Sequence, residues 1–143
     1  MIAYPDTRFL VSLYGEDDYS PAATELVKSD PVFILTSLGE AEFINALELR
    51  VFRKQWTRQE ARQVYNEFLA SQNAAVIRSE PFPVEAWERA VILSRRHGAT
   101  LGTRTLDVLH VASALVLKPD VFFTFDKRQS QLARAEGLRV LPR

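Results

Sequence analysis

Four carboxylates in this chain stand against apolar neighbours, at Asp6, Glu42, Asp107 and Asp126. Asp6 follows IAYP and Asp126 follows VFFTF, so each sits just past a short apolar run that leads into a helical pattern. Asp107 opens a stretch from Leu106 to Leu117 in which every residue is apolar except Asp107, His110 and Ser113, at i, i+3 and i+6. A helix that is apolar nearly all round is buried, and an ionised carboxylate inside it is costly unless paired or bound to a metal. Glu42 interrupts a stripe formed by Leu38, Ala46 and Leu49, with Asn45 its only polar neighbour.

Each acid also has an ordinary role open to it. Asp is a preferred helix N-cap, which suits Asp6 and Asp126, and Gln129 completes a capping-box variant with Asp126. Asp107 has Arg104 one turn before it and His110 one turn after, while Glu42 has Arg104 or a base on the opposing helix as a partner. Taken together, the four exceed what a small core needs. Carboxylates gathered in one pocket repel and raise each other's pKa unless cations compensate, and oxygen-only ligation selects Mg²⁺ or Mn²⁺. Such sites hydrolyse phosphodiesters by activating water and stabilising the leaving oxygen.

The remaining composition narrows the chemistry further. There is no cysteine, which removes disulfides, thiol nucleophiles, thiolate zinc and iron–sulfur clusters. Only His97 and His110 are available as imidazole ligands, too few for a typical catalytic zinc site.

The acids need a frame that brings distant segments together. Short apolar runs at Ile2–Tyr4, Val32–Leu35, Val121–Phe125 and Leu138–Leu141 alternate with amphipathic stretches, the pattern of an α/β domain with a parallel sheet. In such a sheet ligands bind beyond the carboxyl ends of the strands. Ser37 with Glu40 and Thr57 with Glu60 read as capping boxes, Pro83 suits a first helical turn, and Gly98 reads as that helix's stop. After Thr57, residues Ala61, Val64, Tyr65 and Phe68 share one face. The helix carrying Asp107 is expected from about Thr103 to Leu117, and the loosest segments at Gly15–Tyr19 and Ser71–Ala75.

At 143 residues and 47% hydrophobic content the chain is expected to form one domain, residues 1–143, with a core that needs no staple. It has no run of about 18 apolar residues, and MIAYPDTRFL lacks the uninterrupted apolar core of a signal peptide, so a cytoplasmic protein is expected. Charge is balanced at 18 bases and 18 acids but uneven along the chain: residues 1–48 hold nine acids and two bases, residues 49–143 nine acids and sixteen bases. Arg50, Arg53, Lys54, Arg58 and Arg62 make the densest basic run and are the candidate contacts to a polyanion such as a nucleic-acid backbone, with a solvated helix junction as the alternative.

The ordered set PDTRFLVSLY, SLGEAEFINAL, RTLDVLHVASAL, FFTFDKRQSQLA and a closing GLRVL resembles the PIN-domain ribonucleases, specifically the VapC-like toxins of toxin–antitoxin pairs. The resemblance runs the whole length of the chain. It implies a three-layer α/β/α domain with a central parallel sheet. It further implies that Asp6, Glu42, Asp107 and Asp126 act as catalytic and metal-binding acids for Mg²⁺ or Mn²⁺, with the hydroxyls of Thr7 and Thr124 orienting carboxylates or water. The implied activity is endoribonuclease cleavage by metal-activated water, leaving a 5′-phosphate and a 3′-hydroxyl. Implied partners are the RNA substrate, a small cognate antitoxin whose tail offers an arginine to the acids, and a second copy in a homodimer; no membrane is implied. Phe52, Trp56, Tyr65 and Phe68 are candidates for lining the antitoxin groove. One departure is Pro5, which stands where many members carry a residue with a free N–H.

Other classes fit less well. A phosphoaspartate enzyme of the haloacid-dehalogenase type needs a second Asp two residues after the first, where this chain has Arg8, and a receiver-type domain needs an acidic pair near the first strand. The alternative that keeps the fold is a catalytically silent binding or scaffold module.

Overall fold

The computed structural model describes every residue from Met1 to Arg143. One sheet is built from five strands, β1 (Ile2–Pro5), β2 (Val32–Thr36), β3 (Ile77–Glu80), β4 (Val121–Phe123) and β5 (Val140–Leu141). Seven helices accompany it: α1 (Thr7–Tyr14), α2 (Ser20–Leu26), α3 (Ser37–Phe52), α4 (Arg58–Asn73), α5 (Glu85–Leu101), α6 (Thr105–Leu117) and α7 (Lys127–Ala135). All neighbouring strands are parallel, in the order β3-β2-β1-β4-β5.

Because strand side chains alternate between faces, β1 and β4 feed two separate cores. Ala3, Phe33, Val121 and Phe123 face one side, packed with Phe9 and Leu10 of α1, Phe43 and Leu47 of α3 and Phe68 of α4. Tyr4, Phe122 and Val140 face the other, against Leu93 of α5, Val108 and Val111 of α6 and Leu132 of α7. This is the expected three-layer α/β/α arrangement, and burial on both faces explains why the strands read as continuous apolar runs.

The topology makes one crevice. From β1 the chain steps outward through β2 to β3, and α5 and α6 then carry it back to β4 on the opposite side of β1. The order therefore reverses between β1 and β4, and the carboxyl ends of those strands open onto a switch-point crevice. Pro5 does not disturb this edge: it pairs with Phe123, and the next N–H, that of Asp6, donates to the Phe123 carbonyl at 2.9 Å.

Several local boundaries differ from those expected. β3 is not among the expected strands: it is an edge strand with only Ile77 buried, so no apolar run marks it. β4 ends at Phe123 and β5 begins at Val140, both shorter than their apolar runs. Thr36, not Ser37, caps α3 by accepting from the Gly39 N–H at 3.2 Å, which frees the Ser37 hydroxyl to accept from Phe82 N–H. Thr57 does cap α4 through the Glu60 N–H at 3.1 Å. Pro83 lies outside α5, whose N-cap is Val84. The helix passes through Gly98 and stops at Gly102, whose φ of 62° is the left-handed conformation glycine adopts without a Cβ penalty. α6 starts at Thr105 instead of Thr103, and Ser71–Asn73 belong to α4. The segment after Gly15 is tied down as well, since Asp17 accepts from the Ser12 hydroxyl and the Tyr19 N–H.

Candidate functional site

Asp6 and Asp126 reach the crevice because each is the N-cap of the helix that leaves its strand. The Asp6 carboxylate accepts from Phe9 N–H at 2.7 Å at the start of α1, and Asp126 accepts from Gln129 N–H at 2.9 Å at the start of α7. Thr124 joins the two. Its hydroxyl donates to the second oxygen of Asp6 in a short hydrogen bond and accepts from the Asp126 N–H at 2.9 Å. Burial drives the Asp6 carboxyl up to about 6, although the Thr124 hydroxyl and the Phe9 N–H both favour its ionised form; Asp126 pushes the same way as burial.

Glu42 and Asp107 approach from the helices. Glu42, on α3, accepts a short hydrogen bond from Nε2 of His110, and Nδ1 of the same ring lies 2.9 Å from the Tyr4 hydroxyl. A carboxylate only accepts, so Nε2 carries the proton, and in the neutral imidazole Nδ1 then accepts from Tyr4 O–H. Burial raises the Tyr4 phenol well above its ordinary value, which keeps that donor in place. Asp107, in the first turn of α6, accepts from Nε of Arg104 at 3.2 Å, and Nη2 of Arg104 lies 3.8 Å from Asp126. Of the partners the sequence offered, Asp107 takes Arg104, and Glu42 takes His110, one turn beyond Asp107 on α6.

All four acids line a single cleft of about 290 Å³. Thr7 and Gln129 line it too, and the Thr7 hydroxyl and the Gln129 amide oxygen are buried there with no hydrogen-bond partner in the protein. The donor set is all oxygen apart from His110, and two of those oxygens are orphaned, which suits a hard divalent cation. The acids are nonetheless each held by a protein donor, and no three acidic or imidazole side chains converge closely enough to ligate one ion as they stand. Arg104, whose side chain is 69% exposed, is the donor that lies on both Asp107 and Asp126.

The PIN-domain family model matches residues 3–135, which span both strand-end acids and both helical ones. The chain belongs to the PIN-domain family. Three solved structures share its fold. VapBC2 from Rickettsia felis, crystallised with a DNA fragment from its promoter, has a TM-score of 0.67 at 16% identity, over 98% of this chain and 97% of that one. VapC20 from Mycobacterium tuberculosis, described as a toxin that cleaves the sarcin–ricin loop, has a TM-score of 0.69 at 20% identity, over 95% of both chains. FitAcB from Neisseria gonorrhoeae has a TM-score of 0.68 at 17% identity, over 98% of this chain and 96% of that one. At these identities the likeness establishes the fold. Among curated proteins, none matches the chain in sequence.

Within this PIN domain the basic run divides. Arg50 and Arg53, at the end of α3, line the acidic cleft. Lys54 takes a left-handed φ of 58° where the chain turns, and Arg58 and Arg62 consequently face a second, smaller groove between α3 and α4. Arg58 is already committed there to Glu48, with two contacts of 2.8 Å. The aromatic set divides likewise: Phe68 is core, Tyr65 lines the α3–α4 groove, Phe52 is 83% exposed and Trp56 is half-buried.

The residues that sequence reasoning missed as site components are His110, Arg104 in its bridging role, Arg8 and Gln129. His110 stood in the polar stripe of α6, which was its one signal. The other three are ordinary surface types until the fold turns them toward the acids. No helix is long and apolar enough to cross a membrane.

Proposed function

We propose that residues 1–143 form a single divalent-metal-dependent endoribonuclease domain, and that it serves as the toxin of a toxin–antitoxin pair. The observation that carries this reading is the arrival of four carboxylates, from the ends of β1 and β4 and from α3 and α6, at one switch-point cleft. Asp6, Glu42, Asp107 and Asp126 would hold Mg²⁺ or Mn²⁺, which when bound supplies water activation and stabilisation of the leaving oxygen. Thr124 fixes the separation of the two strand-end acids, and Tyr4 through His110 fixes Glu42. Arg50 and Arg53 offer cations to the RNA phosphates at the mouth of the cleft. The toxin assignment is supported by structural likeness to VapC20, VapBC2 and FitAcB, and it brings with it an antitoxin partner, a homodimer and a cytoplasmic setting.

A second reading is favoured by one feature. Because Arg104 and His110 already occupy three of the acids, the same cleft suits a silent binding module whose acids are held by the protein's own donors. One assay separates the two. Mixed RNA is incubated with Mg²⁺, Mn²⁺ or EDTA and either the native protein or Asp107→Asn, whose fold is checked by circular dichroism. The nuclease reading expects cleavage only with a divalent ion and a loss of at least about 100-fold in Asp107→Asn. Cleavage that survives EDTA or the substitution sinks the metal assignment, and no cleavage in any condition favours the silent module. The toxin assignment has its own test: growth arrest on expression alone, relieved by the product of an adjacent gene.

A further inference from the structure

An aromatic ladder climbs out of the core and ends beside the acidic cleft. Phe9 is fully buried; its ring stacks on Phe125 with centroids 5.5 Å apart and planes 23° apart. Phe125 stacks on Tyr19 at 4.8 Å and 24°. Tyr19 is 40% exposed, and the guanidinium of Arg8 lies over its ring at 5.3 Å from the centroid. Arg8 lines the cleft beside Asp6 and Thr7, and Phe125 immediately precedes Asp126, so the ladder reaches the cleft through Arg8. Tyr19 is also anchored through its backbone, whose N–H donates to Asp17 at 2.8 Å.

A second arginine–aromatic pair flanks the same cleft, Arg50 over Trp56 at 5.2 Å, and it is built differently. The Trp56 ring packs so tightly on Gly15 that a Cβ there would fall 2.4 Å from it, and the residue is only partly exposed. That ring is a packing element. Tyr19 has Phe125 stacked against one face of its ring and the guanidinium of Arg8 over the other, so the outermost plane of this rigid stack is that of the exposed Arg8.

We propose that the guanidinium of Arg8, backed by the Tyr19 ring, forms a nucleobase-stacking subsite, which takes an unpaired base next to a phosphate bound at the cleft. A nucleotide offers the complement of this pair: a flat π face joined to an anion. Stacking on aromatic rings or on arginine planes is the common way proteins hold splayed RNA bases, and it requires a platform that stays flat when the strand arrives, which the Phe9–Phe125 support provides. The inference rests on the ribonuclease reading above and adds where the strand's base lies.

The test measures binding in EDTA, so it does not depend on metal or on cleavage. A single-stranded RNA 12-mer carrying 2-aminopurine is titrated against the native protein, Tyr19→Leu, Tyr19→Phe and Arg8→Gln, reading anisotropy and quenching at several salt concentrations. Tyr19→Leu keeps an apolar cover on Phe125 but removes the π face. It is expected to weaken binding about 10-fold and abolish quenching while leaving the salt slope unchanged. Tyr19→Phe is expected to restore both, and Arg8→Gln to lose the quenching and flatten the salt slope by about one. Native-like binding and quenching in Tyr19→Leu would overturn the subsite while leaving the ribonuclease reading intact. Failure of the native protein to bind RNA at any salt in EDTA would overturn the subsite, while the ribonuclease reading stands or falls on the cleavage assay with divalent ions.

Discussion

Replacing Asp6 by Asn is expected to stabilise the ion-free protein at neutral pH. The Asp6 carboxyl is 4% exposed and burial lifts it from 3.8 to about 6, so the folded chain holds this proton more tightly than the unfolded chain does. Stability is therefore greatest below the unfolded value near 4, falls as pH rises through about 6, and stays lower above it. At 1.36 kcal/mol per unit, the ionised carboxylate costs the fold about 3 kcal/mol at pH 7.5. Asn caps a helix as well as Asp does, so the bond from Phe9 N–H survives. The new amide meets a Thr124 hydroxyl that now donates to Asp6, and that mismatch returns about 1 kcal/mol. The expected net gain is about 2 kcal/mol, roughly 4–8 °C in melting temperature. Thermal denaturation in EDTA at pH 7.5 and at pH 4.5 measures it: the gap between the two proteins should close at the lower pH, where the native Asp6 is protonated. Adding Mg²⁺ at pH 7.5 should raise the native protein and not the variant, because only an ion-binding native state gains by mass action. An Asn variant that melts lower at pH 7.5, or a gap that ignores pH, would refute the argument.

Two further outcomes rest on carboxylate contacts, one inside the cleft and one in a separate cluster between α5 and the end of α7. Arg104→Ala removes the side chain that bridges Asp107 and Asp126, and should tighten Mn²⁺ binding about 2- to 10-fold in an electron paramagnetic resonance titration; equal or weaker affinity would show that Arg104 does not compete with the ion. Glu136, 9% exposed, accepts from His97 at 2.6 Å and from Arg96 at 2.8 Å, linking α5 to the end of α7. Burial works to raise this carboxyl, yet those hydrogen bonds outweigh it and hold the group below its usual value. Its contribution is present above the unfolded carboxyl range and lost as pH falls through the lower folded value, so urea denaturation should find Glu136→Gln about 1–2 kcal/mol less stable at pH 7 and closer to the native protein near pH 3.

The features legible in the sequence were those whose cause lies within a few residues. Asp6, Thr57 and Asp126 cap the helices that follow them because the carboxylate or hydroxyl reaches an N–H three residues on, a distance set by local backbone geometry. The apolar runs of β1, β2 and β4 announce strands buried on both faces, and the polar stripe of α6 announces that something polar crosses the interior. The same locality explains the near misses. Thr36 and Ser37 are equally good caps by type, and only the end of β2 decides which one has extended backbone. Gly98 and Gly102 are equally good stops, and only the packing of α5 decides how far the helix runs. β3 carries no run at all; its place at the sheet edge comes from pairing with β2.

Tertiary structure decided who meets whom. The contact from Tyr4 to His110 spans 106 residues and that from His110 to Glu42 spans 68, and no periodicity encodes either. Arg104 bridges two acids because α6 and α7 begin on the same side of the sheet, and the run from Arg50 to Arg62 parts between two grooves because the chain reverses at Lys54. Tyr19 lies among consecutive acids that read as a loose loop; it becomes the exposed end of an aromatic ladder only when Phe125 is brought beneath it. The types of the functional groups follow from composition and spacing. Their partners follow from the crossover that sets β4 beside β1, because hydrogen bonds and ring contacts act over a few ångströms and only the folded chain brings groups a hundred residues apart within that range.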